Sequence, residues 1–365
     1  MTGMRPVLLA AGGTGGHLFP AQALAVALVA RGVAVELVTD QRAMKFGGDF
    51  PASSVHAVAA ATPTGGSLLG KAAAVLVLAR GTFAARGLVR KINPSVVVGF
   101  GGYPTVPPVL AASMLGFKTI LHEQNAVMGR ANRFMAGRAM AIATGFPELG
   151  GIDAALRAKT RHTGNPVRPA VLAAASLPYP DFADGRLRLL VTGGSQGARV
   201  MADIVPMAFE LLAPDIQARF LVVQQARGED EARVADIYAR LGLVAEIKPF
   251  FADLPARLAQ AHLVIARAGA STVSELAVVG RPAILVPFPF ALDNDQAANA
   301  AQLAATGAAT VVAQSRFTAN WLAAELKRCL DNPLALKARA QAARQAGIAD
   351  AAERLADLVL QVAGQ

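Results

Sequence analysis

The run Gly12-Gly13-Thr14-Gly15-Gly16-His17 decides how this 365-residue chain folds. It follows an apolar run at 7–11 and precedes the alanine- and leucine-rich segment 21–28, so the order is strand, glycine loop and helix start. Glycines let backbone N–H groups approach a ligand, and the first turn of a helix offers unpaired donors at the positive end of its dipole. A tight turn without a ligand needs fewer glycines. The run therefore predicts an anion site, most often for phosphate.

The same arrangement returns in the second half of the chain. There Leu189-Leu190-Val191-Thr192 leads into Gly193-Gly194-Ser195-Gln196-Gly197-Ala198. A helix-compatible stretch follows to Leu212, and Pro206 is predicted in its first turn, where a proline is tolerated. Two halves that each carry a phosphate loop predict two Rossmann-like domains with a ligand cleft between them.

Apolar segments alternate with helical ones through both halves, which predicts α/β domains with parallel, doubly wound sheets. The predicted strands after the first are 33–39, 95–100, 118–121, 139–143, 218–224, 245–250, 262–266 and 282–287. The Gly- and Pro-rich segment 162–169 predicts a linker. The predicted domains are 1–165 and 166–340, and the tail 341–365 is predicted to be a helix that packs back on the first domain.

Polar residues stand at two strand ends in the first half. Gly101-Gly102-Tyr103 follows the strand at 95–100, and His122-Glu123-Gln124-Asn125 ends the strand at 118–121. Parallel sheets bind ligands at the carboxyl ends of their strands. Capping the next helix would need fewer polar groups, so the tetrad predicts a functional site.

Composition limits the class of protein. Cys329 is the single cysteine, so neither an intrachain disulfide nor a cysteine zinc cluster can form, which fits a reducing cytoplasm. The N-terminal residues lack the layout of a signal peptide, and no apolar run reaches the ~18 residues of a membrane span.

Positive charge is concentrated in the first half. Residues 1–168 hold 17 Lys and Arg against 6 Asp and Glu, whereas 169–365 hold 18 against 19. This asymmetry predicts an anionic partner, either nucleic acid or a membrane surface. Aromatic residues make up only 5% and do not alternate with basic ones, which argues against nucleic acid.

Seven motifs occur in the order seen in the MurG family of peptidoglycan N-acetylglucosaminyltransferases, which the chain resembles over nearly its whole length. They are Gly12–His17, Gly99–Tyr103, His122–Asn125, Gly164–Arg168, Gly193–Ala198, Ser271–Glu275 and Asp295–Asn299. The resemblance implies a GT-B architecture, with two Rossmann-like domains facing a central cleft. It also implies inverting transfer of N-acetylglucosamine from UDP-GlcNAc to the 4-hydroxyl of undecaprenyl-diphosphate-linked muramyl-pentapeptide. That reaction makes lipid II for peptidoglycan, and so serves cell-wall biogenesis, cell shape and cell division.

The resemblance also implies which residues hold the donor. Thr14, Gly15 and Gly16 face the transferred sugar and the diphosphate, and Asn125 touches the sugar. Arg168, Ser195 and Gln196 lie on the phosphate side, and Phe251 lies where the family contacts uracil. The helix start under the diphosphate consists of Ala270, Ser271, Thr272, Val273, Ser274 and Glu275, and Glu275 contacts the ribose. The sugar hydroxyls are held by Gln296 and Asn299.

Gly101, Gly102 and Tyr103 are placed on the acceptor side. His17 is the candidate general base, because imidazole titrates near neutrality and the residue ends the first glycine loop. Its alternative role is to orient the loop or to bind the acceptor diphosphate. Glu123 is the second candidate base. A helix start with Arg168 can stabilise the leaving UDP without a metal, so no cofactor is predicted. The run Asp293-Asn294-Asp295 leaves open a weak effect of divalent cations.

The acceptor's lipid chain stays in the bilayer, so the resemblance implies a peripheral protein on the cytoplasmic face of the inner membrane. The segment 68–91 combines apolar residues with five cations, and an ordinary amphipathic helix is the alternative. The predicted partners are the two substrates, an anionic membrane surface and other enzymes of cell-wall synthesis, without nucleic acid. The predicted membrane-facing cations are Lys71, Arg80, Arg86, Arg90 and Lys91.

Three other functions remain open at this point. A UDP-GlcNAc 2-epimerase would share the fold and would not need the basic first half. A glycosyltransferase with another lipid acceptor, such as diacylglycerol, would keep the fold and the basic first half. A nucleic-acid-binding protein is suggested only by the high pI of about 10.3, and salt-dependent retention on DNA would reveal it.

Overall fold

The structure is a computed structural model that describes residues 5–12, 15–40, 50–58, 68–194 and 197–364, apart from the side chains at 68–74 and 292. The chain forms two compact units. The first comprises residues 1–168 and 349–365, and the second comprises 169–348. The sequence predicted domain boundaries after 165 and after 340.

The first unit is built on a parallel sheet whose described strands follow the order β3-β2-β1-β4-β5-β6-β7. Every strand residue of β1 and β4 is buried, as expected for a parallel sheet covered on both faces. The strands are β1 (Val7–Ala10), β2 (Val35–Thr39), β3 (Ser54–Ala57), β4 (Val96–Gly99), β5 (Thr119–Glu123), β6 (Ala141–Thr144) and β7 (Thr160–His162). The helices before the second unit are α1 (Gly15–Ala30), α2 (Leu68–Ile92), α3 (Val106–Met114), α4 (Arg130–Ala136) and α5 (Ala154–Ala158).

The second unit repeats this plan with described strands in the order β10-β9-β8-β11-β12-β13, all parallel. The strands are β8 (Leu187–Thr192), β9 (Phe220–Gln225), β10 (Val244–Lys248), β11 (Leu263–Ala266), β12 (Ala283–Leu285) and β13 (Ala309–Val311). The helices are α6 (Pro169–Ala175), α7 (Arg199–Glu210), α8 (Pro214–Gln217), α9 (Gly228–Arg240), α10 (Leu254–Gln260), α11 (Ala270–Val279), α12 (Asp295–Ala305), α13 (Ala319–Asp331) and α14 (Pro333–Ala346). The predicted α/β class with two parallel sheets is confirmed.

The last helix, α15 (Ala351–Ala363), belongs to the first unit. Leu355 and Val359 are fully buried in the same core as Leu24 and Leu28 of α1. Arg31 joins the two helices at the surface, because its guanidinium pairs with Glu353 at 2.5 Å and Asp357 at 2.6 Å. The sequence predicted one helix through the tail, but the chain breaks between α14 and α15 at Gly347–Asp350.

Pro206 corrects another expectation. It lies well inside α7 and not in its first turn. A proline has no N–H to donate, so the carbonyl four residues earlier, that of Ala202, loses its helical partner. The Arg233 guanidinium donates to that carbonyl at 3.4 Å and pairs with Asp203 at 2.7 Å. A side chain from α9 therefore compensates for the interruption.

The strand order of each sheet contains a reversal, where a ligand site is expected. In the first unit β2 and β3 lie on one side of β1 and the later strands lie on the other, so the order of strands reverses between β1 and β4. The same reversal occurs between β8 and β11 in the second unit. A crevice opens at the carboxyl ends of the strands at such a reversal, and ligands of doubly wound sheets bind there. Both glycine loops follow the strands at these points. None of the helices in the described ranges combines the length with the apolar character that a membrane span requires.

Candidate active site

Three neighbouring strand ends of the first unit bring their polar residues together. β1 leads into the first turn of α1, which contains Gly15, Gly16 and His17. The adjacent β4 leads into Gly101–Tyr103, and β5, next to it, ends in the His122–Asn125 tetrad. The predicted contact residue Thr14 lies outside the described residues. The two glycine motifs and the tetrad thus meet at one edge of the sheet.

A chain of hydrogen bonds runs from His17 into the core. His17 Nδ1 lies 3.3 Å from Gln124 Oε1, and Gln124 Nε2 lies 3.0 Å from His122 Nδ1. Gln124 Nε2 also donates to the Phe100 carbonyl at 2.8 Å, and His122 Nε2 lies 3.3 Å from the Gly164 carbonyl. His122 and Gln124 are buried, whereas His17 is half-buried and reaches the surface of the site.

Burial sets the charge of both histidines. It lowers the pKa of His17, against the opposing effect of hydrogen bonds to Gln124 and the Phe100 carbonyl. It lowers the pKa of His122 to about 4, and the hydrogen bond to the Gly164 carbonyl only partly opposes this. Both rings are therefore neutral at pH 7. A neutral His17 can accept a proton, which is the state that a general base needs.

Glu123 occupies a different position from His17. Its carboxylate is buried, Oε1 accepts from the backbone N–H of Asn125 at 3.0 Å, and Oε2 accepts from the N–H of Gly129 at 2.9 Å. The Asn132 amide adds a bond to Oε2 at 2.8 Å, and the Asn125 amide reaches Oε1 at 3.4 Å. Burial raises the pKa of Glu123, while these four donors favour its charged form. The geometry is that of a group that fixes the 125–132 loop.

Gly101 and Gly102 pack directly against the His17 ring. Both have positive φ, of 84° and 74°, which side chains rarely adopt. A Cβ on Gly102 would lie 3.3 Å from His17 Nε2, and one on Gly101 would lie 3.5 Å from Cε1. Tyr103 follows in a short 3₁₀ turn, which Thr105 Oγ1 closes by donating to the Gly102 carbonyl at 2.9 Å. These glycines let the backbone lie against the imidazole.

Arg168 ends the first unit beside α1. Its guanidinium carbon lies 4.7 Å from the centre of the Phe19 ring, a cation–π contact. Phe19 is one turn further along α1 than Gly15 and Gly16. The contact therefore holds the positive charge of Arg168 near the start of this helix.

Gln225 holds the start of the glycine loop of the second unit. Gln225, at the end of β9, accepts from the N–H of Gly193 and from Thr192 Oγ1, both at 3.0 Å. Its amide nitrogen donates to the Gly194 carbonyl at 3.0 Å. The predicted contacts Ser195 and Gln196 lie outside the described residues. Gly193 and Gly194 are thus held against the neighbouring strand β9.

The first turn of α11 forms the second part of this edge. The helix starts at Ala270, directly after the buried strand β11, and Gly269 is its extended N-cap residue. Ser271, Thr272 and Ser274 are partly exposed, whereas Val273 and Glu275 are buried. The unpaired N–H groups of the first turn suit an anion, as in the first unit.

Two side chains of α12 support the loop before α11. Gln296 Oε1 accepts from the N–H of Ala268 at 3.3 Å and of Phe288 at 3.0 Å, so its amide nitrogen points away from these groups. Asn299 is fully buried and donates to the Ala268 carbonyl at 3.1 Å. The resemblance predicts that both hold sugar hydroxyls, and in the structure the Asn299 side chain lies beneath this loop.

Phe251 follows β10 and is buried, with the Arg257 guanidinium 4.2 Å from its ring centre. The Arg257 guanidinium donates to both carboxylate oxygens of Glu246, at 2.6 and 3.0 Å. Hydrogen bonds from Arg257 and Lys248 lower the pKa of Glu246 to about 2. The ring at the predicted uracil position is therefore fixed by its own ion-pair network.

Comparisons with known proteins show the family of this chain. Residues 7–144 match the profile of the glycosyltransferase family 28 N-terminal domain, and residues 188–355 match that of its C-terminal domain. A relative from Methylobacterium sp. (strain 4-46) is 60% identical over 366 residues, which cover 100% of this chain and 98% of the relative. Its name is UDP-N-acetylglucosamine--N-acetylmuramyl-(pentapeptide) pyrophosphoryl-undecaprenol N-acetylglucosamine transferase. The chain belongs to the MurG family of glycosyltransferases.

Solved structures agree with the MurG assignment. The crystal structure of MurG from Acinetobacter baumannii matches with a TM-score of 0.79 at 29% identity, covering 98% of this chain and 99% of that one. A UDP-N-acetylglucosamine 2-epimerase matches with a TM-score of 0.65 at 14% identity, covering 99% and 97%. The second likeness shows a shared fold alone, so the epimerase alternative gains nothing specific from it.

Several residues of this MurG family member escaped the sequence analysis. Asn132, Gln225 and Arg267 were not predicted as site residues, although each fixes part of a loop at a strand end. Arg267 donates to the carbonyls of Val286 and Pro287, at 3.0 and 3.2 Å, and lies over the Phe288 ring. No motif signals these partners, because each pairs with residues distant in sequence. Among the described residues, no group of three His, Cys, Asp or Glu side chains is arranged to hold a metal ion.

The α2 helix exposes apolar and basic residues together. Phe83 is 78% exposed, Val75 60% and Leu76 53%, and Arg80, Arg90 and Lys91 are also exposed, with Arg86 half-buried. Leu76, Arg80, Phe83 and Arg90 follow a helical spacing that places them on one face. The side chain of Lys71 lies outside the described part. Leu78 and Leu88 of the same helix pack against the core of the unit.

Proposed function

We propose that this chain transfers N-acetylglucosamine from UDP-GlcNAc to the 4-hydroxyl of the muramyl sugar in undecaprenyl-diphosphate-linked muramyl-pentapeptide. The observation that carries this proposal is the 60% identity, over the whole chain, to a relative that is named for this transfer. Two phosphate-type loops, one in each unit, suit a nucleotide diphosphate donor and a lipid diphosphate acceptor.

His17 acts as the general base. Its neutral ring takes the proton of the acceptor hydroxyl while the hydroxyl oxygen bonds to the anomeric carbon. The bond from that carbon to the UDP oxygen breaks, its electron pair leaves with the diphosphate, and the configuration inverts. Four protein donors already occupy the lone pairs of Glu123, which supports His17 over Glu123 in this role.

The second unit holds most of the donor. The N-terminal turn of α11 binds the diphosphate through its N–H groups and stabilises the negative charge that develops on UDP. Glu275 accepts from the ribose hydroxyls, and the Gln296 amide nitrogen, which points away from its backbone partners, meets the sugar. Phe251 lines the uracil side, and Arg168 meets the phosphates from the end of the first unit.

The protein docks on the cytoplasmic face of the inner membrane through α2. The exposed apolar residues Val75, Leu76 and Phe83 enter the headgroup region, and the cations beside them face anionic lipids. This docking brings the protein to a lipid-linked acceptor that cannot leave the bilayer.

One incubation tests the activity. The protein is mixed with labelled UDP-GlcNAc and either the muramyl-pentapeptide lipid, diacylglycerol or no acceptor, and the products are identified by mass. A disaccharide-pentapeptide lipid formed only in the first mixture is the expected result. The 2-epimer of the donor in the mixture without acceptor, or a glycosylated diacylglycerol, would replace the proposal with one of its alternatives.

A further inference from the structure

The hydrogen-bond chain behind His17 has a backbone carbonyl at two of its points, and a carbonyl can only accept. The Phe100 carbonyl lies 2.8 Å from one atom of the Gln124 amide group, so that atom must be the nitrogen, and the oxygen must face His17. The Gly164 carbonyl lies 3.3 Å from His122 Nε2, so that nitrogen carries a proton. Two carbonyls thus fix the direction of the whole chain.

The remaining protons follow from this direction. His122 is buried and neutral, so with its proton on Nε2 its Nδ1 is a lone pair, which accepts from the Gln124 amide nitrogen at 3.0 Å. Gln124 Oε1 can only accept, so His17 Nδ1 must carry the proton that it receives across 3.3 Å. A neutral His17 then has its lone pair on Nε2.

We infer that Gln124 and His122 are positioning residues that hold His17 in the tautomer with a lone pair on Nε2, ready to take the acceptor proton. The inference rests on the proposed role of His17 as base. Nε2 is the nitrogen beside Gly102, on the side of the ring away from Gln124. When it takes a proton, the Nδ1–H bond to Gln124 is retained and stabilises the new positive charge, as an orienting group does for a catalytic histidine.

Gln124→Met tests this inference, because methionine fills a similar volume without donor or acceptor. Gln217→Met is the matched control, since Gln217 is also buried and donates to the carbonyls of Phe209 and Leu212, both at 2.8 Å, in the second unit. The ring nitrogens of His17 are observed by ¹⁵N NMR at pH 8 in protein labelled on histidine, with His17→Ala to assign the signals among the five histidines. Initial rates give kcat and KM for UDP-GlcNAc.

In the parent and the control, His17 should show a protonated Nδ1 and an unprotonated Nε2. In Gln124→Met the Nε2–H form should become populated, and kcat should fall at least ~10-fold, while KM for the donor stays within about twofold. His122→Phe leaves Gln124 anchored by the Phe100 carbonyl alone. This variant should give a smaller change in the tautomer of His17 and a smaller fall in kcat.

Three results would overturn the inference, and they are distinguishable. An unchanged tautomer in Gln124→Met, whatever the rate, would show that the relay does not set the ring. A changed tautomer with normal kcat would show that His17 is not the base, so the proposed chemistry itself would fail. Equal losses of kcat in Gln124→Met and Gln217→Met would assign the effect to general destabilisation.

Discussion

The amide nitrogen of Asn132 lies 2.8 Å from Glu123 Oε2, and this bond ties α4 to the end of β5. It is one of four donors to a buried carboxylate. Glu123→Gln places an NH₂ group against some of these donors and should lower the free energy of unfolding by ~1.5–3 kcal/mol. Asn132→Leu should behave in the same way. Urea denaturation measures both, and a catalytically dead Glu123→Gln protein of normal stability would instead make Glu123 the base.

Acid should weaken the fold through His122. Its pKa of about 4 in the folded protein lies below the ordinary 6.5, so the unfolded chain binds the additional proton between these values. The stability from the neutral ring is therefore complete above pH 6.5 and is lost as the pH falls towards 4, by up to about 3 kcal/mol. Unfolding free energies at pH 7 and 5 should differ more in the parent than in His122→Phe. Equal differences would show that His122 does not titrate in this window.

Glu275→Ala should weaken UDP binding by ~1.5–3 kcal/mol, the range for hydrogen bonds to a charged group. Glu275 is a buried residue in the middle of α11, whereas Glu210 is exposed at the end of α7 in the same unit. Glu210→Ala is therefore the control and should bind UDP normally. Calorimetry with UDP measures both, and unchanged affinity in Glu275→Ala would remove the ribose contact.

Changing Arg80, Arg86 and Arg90 together to Glu should release the protein from vesicles of phosphatidylglycerol and phosphatidylethanolamine. At ~1 kcal/mol per cation, the reversal of three charges should weaken binding at least ~100-fold. A matched variant reverses three exposed arginines on other elements of the unit, Arg138, Arg157 and Arg161.

Sedimentation with vesicles at physiological salt compares the two proteins, which have the same net charge. The α2 variant should keep its activity on a short-chain, water-soluble acceptor. Equal binding of both variants would place the membrane surface elsewhere on the unit.

Leu355→Ala should destabilise the first unit by ~2–5 kcal/mol, because the side chain is fully buried between α15 and α1 and leaves a cavity. Gln361→Ala, on the exposed face of the same helix, should change stability little. Thermal unfolding, followed by far-UV circular dichroism, measures the stability of both variants. A loss below 1 kcal/mol for Leu355→Ala would mean that α15 contributes little to the core.

The sequence predicted best what depends on local pattern. Valine-rich strands such as 95–100 and the glycine loops after them have signals in consecutive residues, so the parallel sheets and strand ends were predictable. The edge strand β10 (Val244–Lys248) was predicted as the strand 245–250. Three short, partly exposed strands were missed, namely β3, β7 and β13. β3 and β7 have three or four residues without an apolar run, which carry no strand signal.

The sequence indicated residues that the structure brings together at the strand ends, but not the hydrogen bonds among them. Gln124 was recognised as one of four polar residues, yet its bonds to His17 and Phe100 depend on strands that are adjacent only after folding. Pro206 was misplaced for the same reason. Its acceptance inside α7 depends on Arg233, a residue of another helix.

The return of α15 to the first unit sets an order for folding during synthesis. The second unit, 169–348, is complete when the ribosome still has the last helix to make. The first unit was begun earlier but lacks Leu355 and Val359 until α15 has been made, so its apolar α1 surface stays open until then. The half that is made first should therefore be the half that closes last.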